Sequence, residues 1–319
     1  MTGHAVPAPD ACSVGFDRTG LSAYGTAARA MFFVAVEQPG PWGRDAATES
    51  HLPAEVGRTL SQACSSRGGR LSLLRRPGRH PDDPHEPGHT TYLAWAGEDP
   101  WLLVARVGDP RTLLDVDLDA LARGDRDSVR ATLPGLEPSA PVLLVCTNGR
   151  RDVCCAVRGR PVALDAAAVS PGRVWEASHT GGHRFAPTGV LLPHGATFAR
   201  LDTELSTEVL TAADRGELPR RSLGPAHDRG RSPLGGAEQA AESHVRLVVG
   251  ETSLTALSAV AREETVTTAG STTTVVTVTH RDGREWLVDC ERRSGPTELP
   301  ESCGKAAVAA SAWETHVRS

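Results

Sequence analysis

Aromatic side chains are scarce in this sequence, with five Phe, two Tyr and six Trp among 319 residues. Its cores must therefore lean on Leu, Val and Ala. No apolar run approaches the ~20 residues that a membrane-spanning helix needs. No charged start followed by an apolar core opens the chain, so no signal peptide is expected and a cytoplasmic location is the default. The net charge is only −5 and is spread along the chain. The clustered basic footprint of a nucleic-acid binder is missing, so neither a nucleic acid nor a membrane is expected as partner. Cys-x-x-Cys is absent, which disfavours dithiol exchange. There is no Gly-x4-Gly-Lys-Ser/Thr and no convincing Gly-x-Gly-x-x-Gly after a strand, so the glycines make no phosphate loop. What the chain does have is seven cysteines. Their odd number and the expected reducing compartment argue against a disulfide framework. Clustered cysteines in that setting point to metal or redox chemistry.

The length allows two domains or three small ones. Residues 31–36 form an apolar run suited to a buried strand, broken by Pro39-Gly40-Pro41. Helical spacing follows over 52–65, with Leu52, Val56 and Leu60 on one face and Pro53 in the first turn. A strand over 71–74, a loop rich in Pro, His and Asp over 75–89, a hairpin of 91–95 with 101–107, and a short helix over 117–123 complete this half. Residues 133–141, with three prolines, read as a linker. The same order then returns: a strand at 142–145, a helix over 152–168 with a break expected at Gly159 to Pro161, and a strand at 173–177. A hairpin of 188–192 with 197–201 and a helix over 203–213, N-capped by Thr203, close it.

The order β-α-β-β-β-α thus occurs twice, at a spacing of about 110 residues, which is the thioredoxin-like pattern. The expected fold class is α/β (α+β): two tandem thioredoxin-like domains, residues 1–132 and 133–216, followed by a linker and a small α+β C-terminal region over 217–319. Two unrelated α/β halves are the alternative. In the last region a helix is expected over 237–263, broken at Gly250. A hairpin of 272–279 with 285–288 around Asp282-Gly283 follows, then a tail with a short helix.

The chemistry concentrates between residues 142 and 185. Cys146 stands at the mouth of a buried strand, and Cys154 and Cys155 at the start of the next helix. His179 and His183 lie on the loop after the following strand, with Gly181 and Gly182 to let the backbone bend between them. In a thioredoxin-like fold both loops sit at the same end of the sheet. Alone, Cys146 reads as a core cysteine and either histidine as a loop residue. Together they form a thiolate and imidazole set that suits zinc, an iron–sulfur cluster and some iron or copper sites. Adjacent helical residues point about 100° apart, so Cys154 and Cys155 do not both face one metal.

This segment resembles the sucrase/ferredoxin-like family. The stretch His179-Thr-Gly-Gly-His183-Arg184-Phe185-Ala186 is similar to that family's His-x3-His motif. Residues 189–201 are similar to the hairpin of thioredoxin-like ferredoxins, and Glu37-Gln-Pro-Gly-Pro-Trp-Gly43 to the family's N-terminal domain. The resemblance implies a 2Fe–2S cluster ligated by Cys146, His179, His183 and one of the paired cysteines. Family spacing favours Cys155, nine residues after Cys146. It further implies one-electron transfer with a redox partner protein, a reductase or acceptor. With two imidazoles in place of two thiolates, the potential should lie above that of plant-type ferredoxins. No carboxylate pair marks a glycosidase, so sucrose cleavage is not expected and no catalytic residue is assigned. A zinc-stabilised interaction module and an iron or redox sensor are the alternatives for the same donors. A second His-x3-His, His85 to His89, with His80 nearby, lacks matching cysteines and reads as structural or partner-facing. Cys12, Cys290 and Cys303 have no partner at ligand spacing, and Cys64 lies on a helix at some sequence distance. No ligand role is expected of these four.

Overall fold

The computed structural model describes residues 7–78, 88–266 and 272–318; His80 and His85 lie outside them. A helix absent from the sequence reading, α1 (Cys12–Thr19), comes first and buries Cys12, Ser13 and Phe16. The apolar run becomes β1 (Phe32–Glu37), buried throughout. α2 (Ala54–Ser66) turns Val56, Leu60 and Cys64 inward, with Pro53 as its N-cap residue. β2 (Gly69–Arg75), β3 (His89–Trp95) and β4 (Trp101–Val107) follow. Next come α3 (Leu118–Ala122) and α4 (Arg126–Thr132), whose first-turn amides are capped by Asp117 and Asp125. The Pro-rich 133–141 stretch contains only the two-residue β5 (Glu137–Pro138).

The second half runs β6 (Val142–Cys146), α5 (Val153–Val169), β7 (Val174–Ala177), β8 (Gly189–Leu192), β9 (Ala196–Phe198) and α6 (Thr203–Ala213). Two local expectations are corrected. α5 continues through Gly159 and Pro161, because packing outweighs the one backbone bond that proline removes. Asp202, not Thr203, caps α6 by accepting from the Leu205 amide.

The C-terminal region holds β10 (Asp228–Arg231), α7 (Gly236–Val249), β11 (Leu257–Val266), β12 (Thr272–His280), β13 (Glu285–Pro300) and β14 (Ala307–Val317). The β12–β13 hairpin is where Asp282-Gly283 places it. The helix expected to continue past Gly250 stops there in a left-handed C-cap, and the following residues form β11. The tail is β14, not a helix, because pairing with the long β13 overrides the helical preference of its alanines. α7 packs on this four-stranded antiparallel sheet, β11-β12-β13-β14. No helix among the described residues is long and apolar enough to cross a membrane.

The fold is α/β, and the β-α-β-β-β-α order is visible in both halves. In each, the first strand is parallel to the second and antiparallel to the third, which pairs with the fourth. Both sets belong to one ten-stranded sheet in the order β10-β9-β8-β6-β7-β2-β1-β3-β4-β5. One core lies between the first set and α2, α3 and α4, and a second between the later set and α5 and α6. A third contains no helical residue and is shared by both sets. There Trp175 Nε1 donates to Tyr92 Oη at 3.2 Å.

The two sets meet where β2 and β7 pair antiparallel over two positions, Leu74 with Ala177 and Arg75 with Glu176. The second pair is also a buried salt bridge, 2.6 Å from Nη2 to Oε2. Thr147 Oγ1 donates to the same carboxylate, and the guanidinium lies 4.4 Å from the Trp42 ring centre. Replacing Glu176 with Ala strands a cation that is only 14 % exposed. It should cost about 3 kcal/mol, read as a lowered denaturation midpoint. Glu176→Gln, which keeps the acceptor oxygen, should cost less.

Candidate metal centre

Cys146 is the last residue of β6, and the loop carrying His179 leaves β7, the parallel neighbour of β6. Both therefore emerge at the carboxyl ends of adjacent strands. Cys155 is brought in by α5, which lies hard against the end of β6. A Cβ on Gly159 would stand 2.3 Å from the Cys146 carbonyl oxygen, so glycine is what permits this approach. The His179 loop is braced from the first half. The Ser178 amide donates to the Leu73 carbonyl at 2.9 Å, and Ser178 Oγ accepts from the Leu73 amide at 3.0 Å. Arg70 Nη2 donates to the His179 carbonyl at 3.4 Å.

Three of the four predicted donors converge, and the fourth, Cys155, joins them through His183. The ligand atoms of Cys146, His179 and His183 lie within 4.8 Å of one another. Cys155 Sγ is 3.1 Å from His183 Nδ1, which joins it to this group. The imidazole rings stack with centres 4.9 Å apart. Cys154 faces away from this group, as the 100° step between neighbours requires.

The electrostatics divide the two thiols. The hydrogen bond from Cys155, then the one from His179, holds Cys146 well below the usual thiol range, and the same contact with Cys146 pushes Cys155 up. Burial lowers the His183 pKa, which favours the neutral ring that can ligate. His179 Nδ1 is buried without a hydrogen-bond partner among the described residues.

Sequence reasoning missed the cation beneath this site. Arg229 of β10 is 1 % exposed and has no carboxylate partner among the described residues. Its guanidinium donates to Thr26 Oγ1 and the Gly181 carbonyl, both at 3.0 Å, and to the Thr26 carbonyl. Burial brings its pKa down to about 9, while Cys146 and Cys155 act to keep it charged. It marks the pocket as one prepared for negative charge, and so does Arg70, which burial lowers and Cys146 supports. No local sequence signal distinguishes Arg229 from the other arginines.

A second group also escaped sequence reasoning. Cys12 of α1, Cys154 of α5 and Cys303 of the β13–β14 turn lie together beside Asp152. The expectation that Cys12 and Cys303 have no partner is therefore corrected: the partners are distant along the chain. The one available signal was the Cys154-Cys155 doublet, which holds one thiol more than a single centre can use. Cys64 and Cys290 are core residues under α2 and α7. His89 opens β3, with Nδ1 2.7 Å from the Glu37 carbonyl oxygen.

Gly181 and Gly182 both have positive φ, +83° and +71°. A Cβ at Gly182 would also meet Arg229 Nη2 at 2.4 Å. Gly182→Ala should therefore cost more than the ~1–2 kcal/mol of left-handed backbone alone. Gly135→Ala, at φ +82° with open space around it, should cost only that backbone amount. Paired denaturation curves measure the difference.

None of the curated proteins and none of the solved structures matches the chain. The family model described as Sucrase/ferredoxin-like matches residues 23–221. That is 199 of 319 residues, with all four predicted donors inside and Cys12, Arg229 and Cys303 outside. The match covers more than half of the sequence, and the chain belongs to the sucrase/ferredoxin-like family.

Proposed function

We propose that this protein is a one-electron carrier, with Cys146, Cys155, His179 and His183 as the ligands of a 2Fe–2S cluster. The observation that carries the reading is the grouping of two thiols and two imidazoles at adjacent strand ends, with His179 Nδ1 buried and without a hydrogen-bond partner among the described residues. When bound, such a cluster supplies exchange of one electron. The residues around it do the remaining work. Gly181 and Gly182 set the spacing of the two rings, and Gly159 lets α5 bring Cys155 to Cys146. Arg229 and Arg70 offset the thiolate charge from inside the protein. Two neutral imidazoles leave the centre less negative than four thiolates would, which supports a potential above the plant-type range. No residue is assigned to substrate conversion.

A redox partner protein fits one face of the site. His179 opens onto a cleft of about 620 Å³ lined by Arg29, Arg44, Arg70 and Arg151. None of these four is ion-paired to a carboxylate among the described residues. Such a cleft suits an acidic partner that approaches the imidazole edge. A single zinc ion is the competing occupant, since two thiolates with two imidazoles are also a zinc ligand set and Cys146, His179 and His183 lie within 4.8 Å of one another. An iron or redox sensor would use the same donors.

Anaerobically purified protein should be red-brown, with about two iron and two sulfide per chain and a reduced-state electron spin resonance signal. A colourless zinc protein would overturn the reading. Ala at Cys146, Cys155, His179 or His183 should bleach the chromophore, while Ala at Cys64 or Cys290 should leave the spectrum unchanged.

The partner surface has its own readout. Arg29→Glu with Arg44→Glu should slow reduction by an acidic donor protein about tenfold or more at low salt. The effect should shrink as salt rises, while reduction by dithionite stays as fast as in the wild type. Equal rates with the donor protein would place docking elsewhere.

A further inference from the structure

The cysteines left over by the proposed centre form a site of their own. Their sulfurs make a nearly equilateral triangle: Cys12 to Cys154 is 3.5 Å, Cys154 to Cys303 is 3.2 Å, and Cys303 to Cys12 is 3.6 Å. Cys12 and Cys154 are fully buried and Cys303 is half-buried. Asp152 completes the group, with its carboxylate 3.8 Å from Cys12 Sγ and all four ligand atoms within 4.8 Å of one another.

The chain is built to bring these residues together. Asp152 caps α5 by accepting from the Cys154 amide at 2.9 Å. Its other oxygen accepts from the Cys303 amide and from Ser302 Oγ, both at 2.8 Å. One carboxylate thus fixes two of the three cysteines by their backbone. Cys12 arrives on α1, whose Phe16 packs edge-to-face on Phe185 with ring centres 5.6 Å apart. Arg184 lies over both rings and pairs with Glu301 at 3.2 Å, one step before the Ser302-Cys303 turn. Three segments separated by 142 and 149 residues are held in register around one point.

Two explanations compete for three thiols at such distances. A disulfide would join two sulfurs at about 2.05 Å and leave the third buried and unused. Equal spacing of all three is what a shared centre produces. Around a tetrahedral ion with metal–sulfur bonds of about 2.3 Å, sulfurs stand about 3.8 Å apart, close to the triangle seen here. The spacing is too tight for ligands on different atoms of a multi-iron cluster. Thiolate donors with one carboxylate select a thiophilic divalent ion of the zinc class over magnesium or calcium. We propose that Cys12, Cys154 and Cys303, with Asp152 as the oxygen donor, bind one such ion in a tetrahedral site distinct from the Cys146 centre. Binding displaces the three thiol protons to solvent as the three metal–sulfur bonds form, and Arg184 nearby offsets the resulting negative charge.

The site would act as a clasp. It joins α1 and the β13–β14 turn to the N-terminus of α5, beside the residue that contributes Cys155. Metal-closed loops of this length remove much freedom from the unfolded chain. The Asp152 carboxylate also lies within 4.8 Å of the ligand atoms of Cys155 and His183, so the two groups adjoin there, but they share no thiol and no imidazole.

The test counts metals in the full chain and maps thiol protection. Wild type and the His179→Ala/His183→Ala double variant should each retain one tightly bound zinc. On exchange with Co2+, both should show a thiolate-to-cobalt charge-transfer band and tetrahedral visible bands. Cys12→Ser with Cys303→Ser should lose this ion and these bands. The wild type supplies a control that needs no variant. Alkylation followed by peptide mapping should find Cys12, Cys154 and Cys303 protected until a chelator is added, then labelled together. Three results would each overturn the proposal: zinc content unchanged in the Cys12→Ser/Cys303→Ser protein, chelator-independent labelling of Cys12 and Cys303, or an intact mass showing a disulfide among the three.

Discussion

The arrangement of the candidate metal centre depends on a strand overlap only two residue pairs long. β7 meets β2 at Leu74–Ala177 and Arg75–Glu176, and the chain then continues past Ser178 along the earlier residues of β2. That continuation is why Leu73 and Arg70, from the first half, bond the loop that carries His179. A longer overlap would have drawn those residues into the ladder and closed the space that the imidazoles occupy. Without the overlap, the His179 loop would lose its rigid wall. The ion pair at the overlap is buried and takes up the Thr147 hydroxyl. Thr147 follows Cys146 directly, so the seam and the first thiol are held by one carboxylate.

Charge is handled in the same economical way. The pocket contains two thiols and two imidazoles, with the Asp152 carboxylate at the edge beside Cys155 and His183. The compensating cations come from outside the local motif, Arg229 from β10 and Arg70 from β2. A fully buried guanidinium bonded only to neutral acceptors is costly by itself. It is tolerable next to a thiol held toward its negative form, and Cys146 is such a group. The seam thus supplies shape from one side and the C-terminal region supplies charge from the other.

Both cysteine groups depend on the first turn of α5. Asp152, Cys154 and Cys155 follow one another within four positions, and the helical step sends Cys154 one way and Cys155 another. Gly159 sets how closely that turn approaches β6. The first turn of the helix therefore carries a cysteine toward each group, with Asp152 within 4.8 Å of members of both, and its position is the shared constraint of both.

Much of this was legible in the sequence. The alternation of apolar runs and amphipathic spacing reveals the repeated element order, because burial of strand and helix faces leaves a periodic trace. The nearness of Cys146, His179 and His183, with Cys155 beside His183, was legible because these residues sit at strand and helix ends, where the order of elements predicts proximity. Asp282-Gly283 marked its hairpin through local turn chemistry. Other features left no trace along the chain. The tail's alanines favour a helix, and only the partner strand β13 made them β14. Cys12 and Cys303 lie far from Cys154 in sequence, so spacing rules carry no information about their meeting. Arg229 looks like any surface arginine until β10 is folded beneath the histidine loop. The sequence by itself determined the local elements and the donors they carry at their ends. The tertiary structure alone decided which distant segments share a buried space, because that depends on sheet order and packing, which have no period to read.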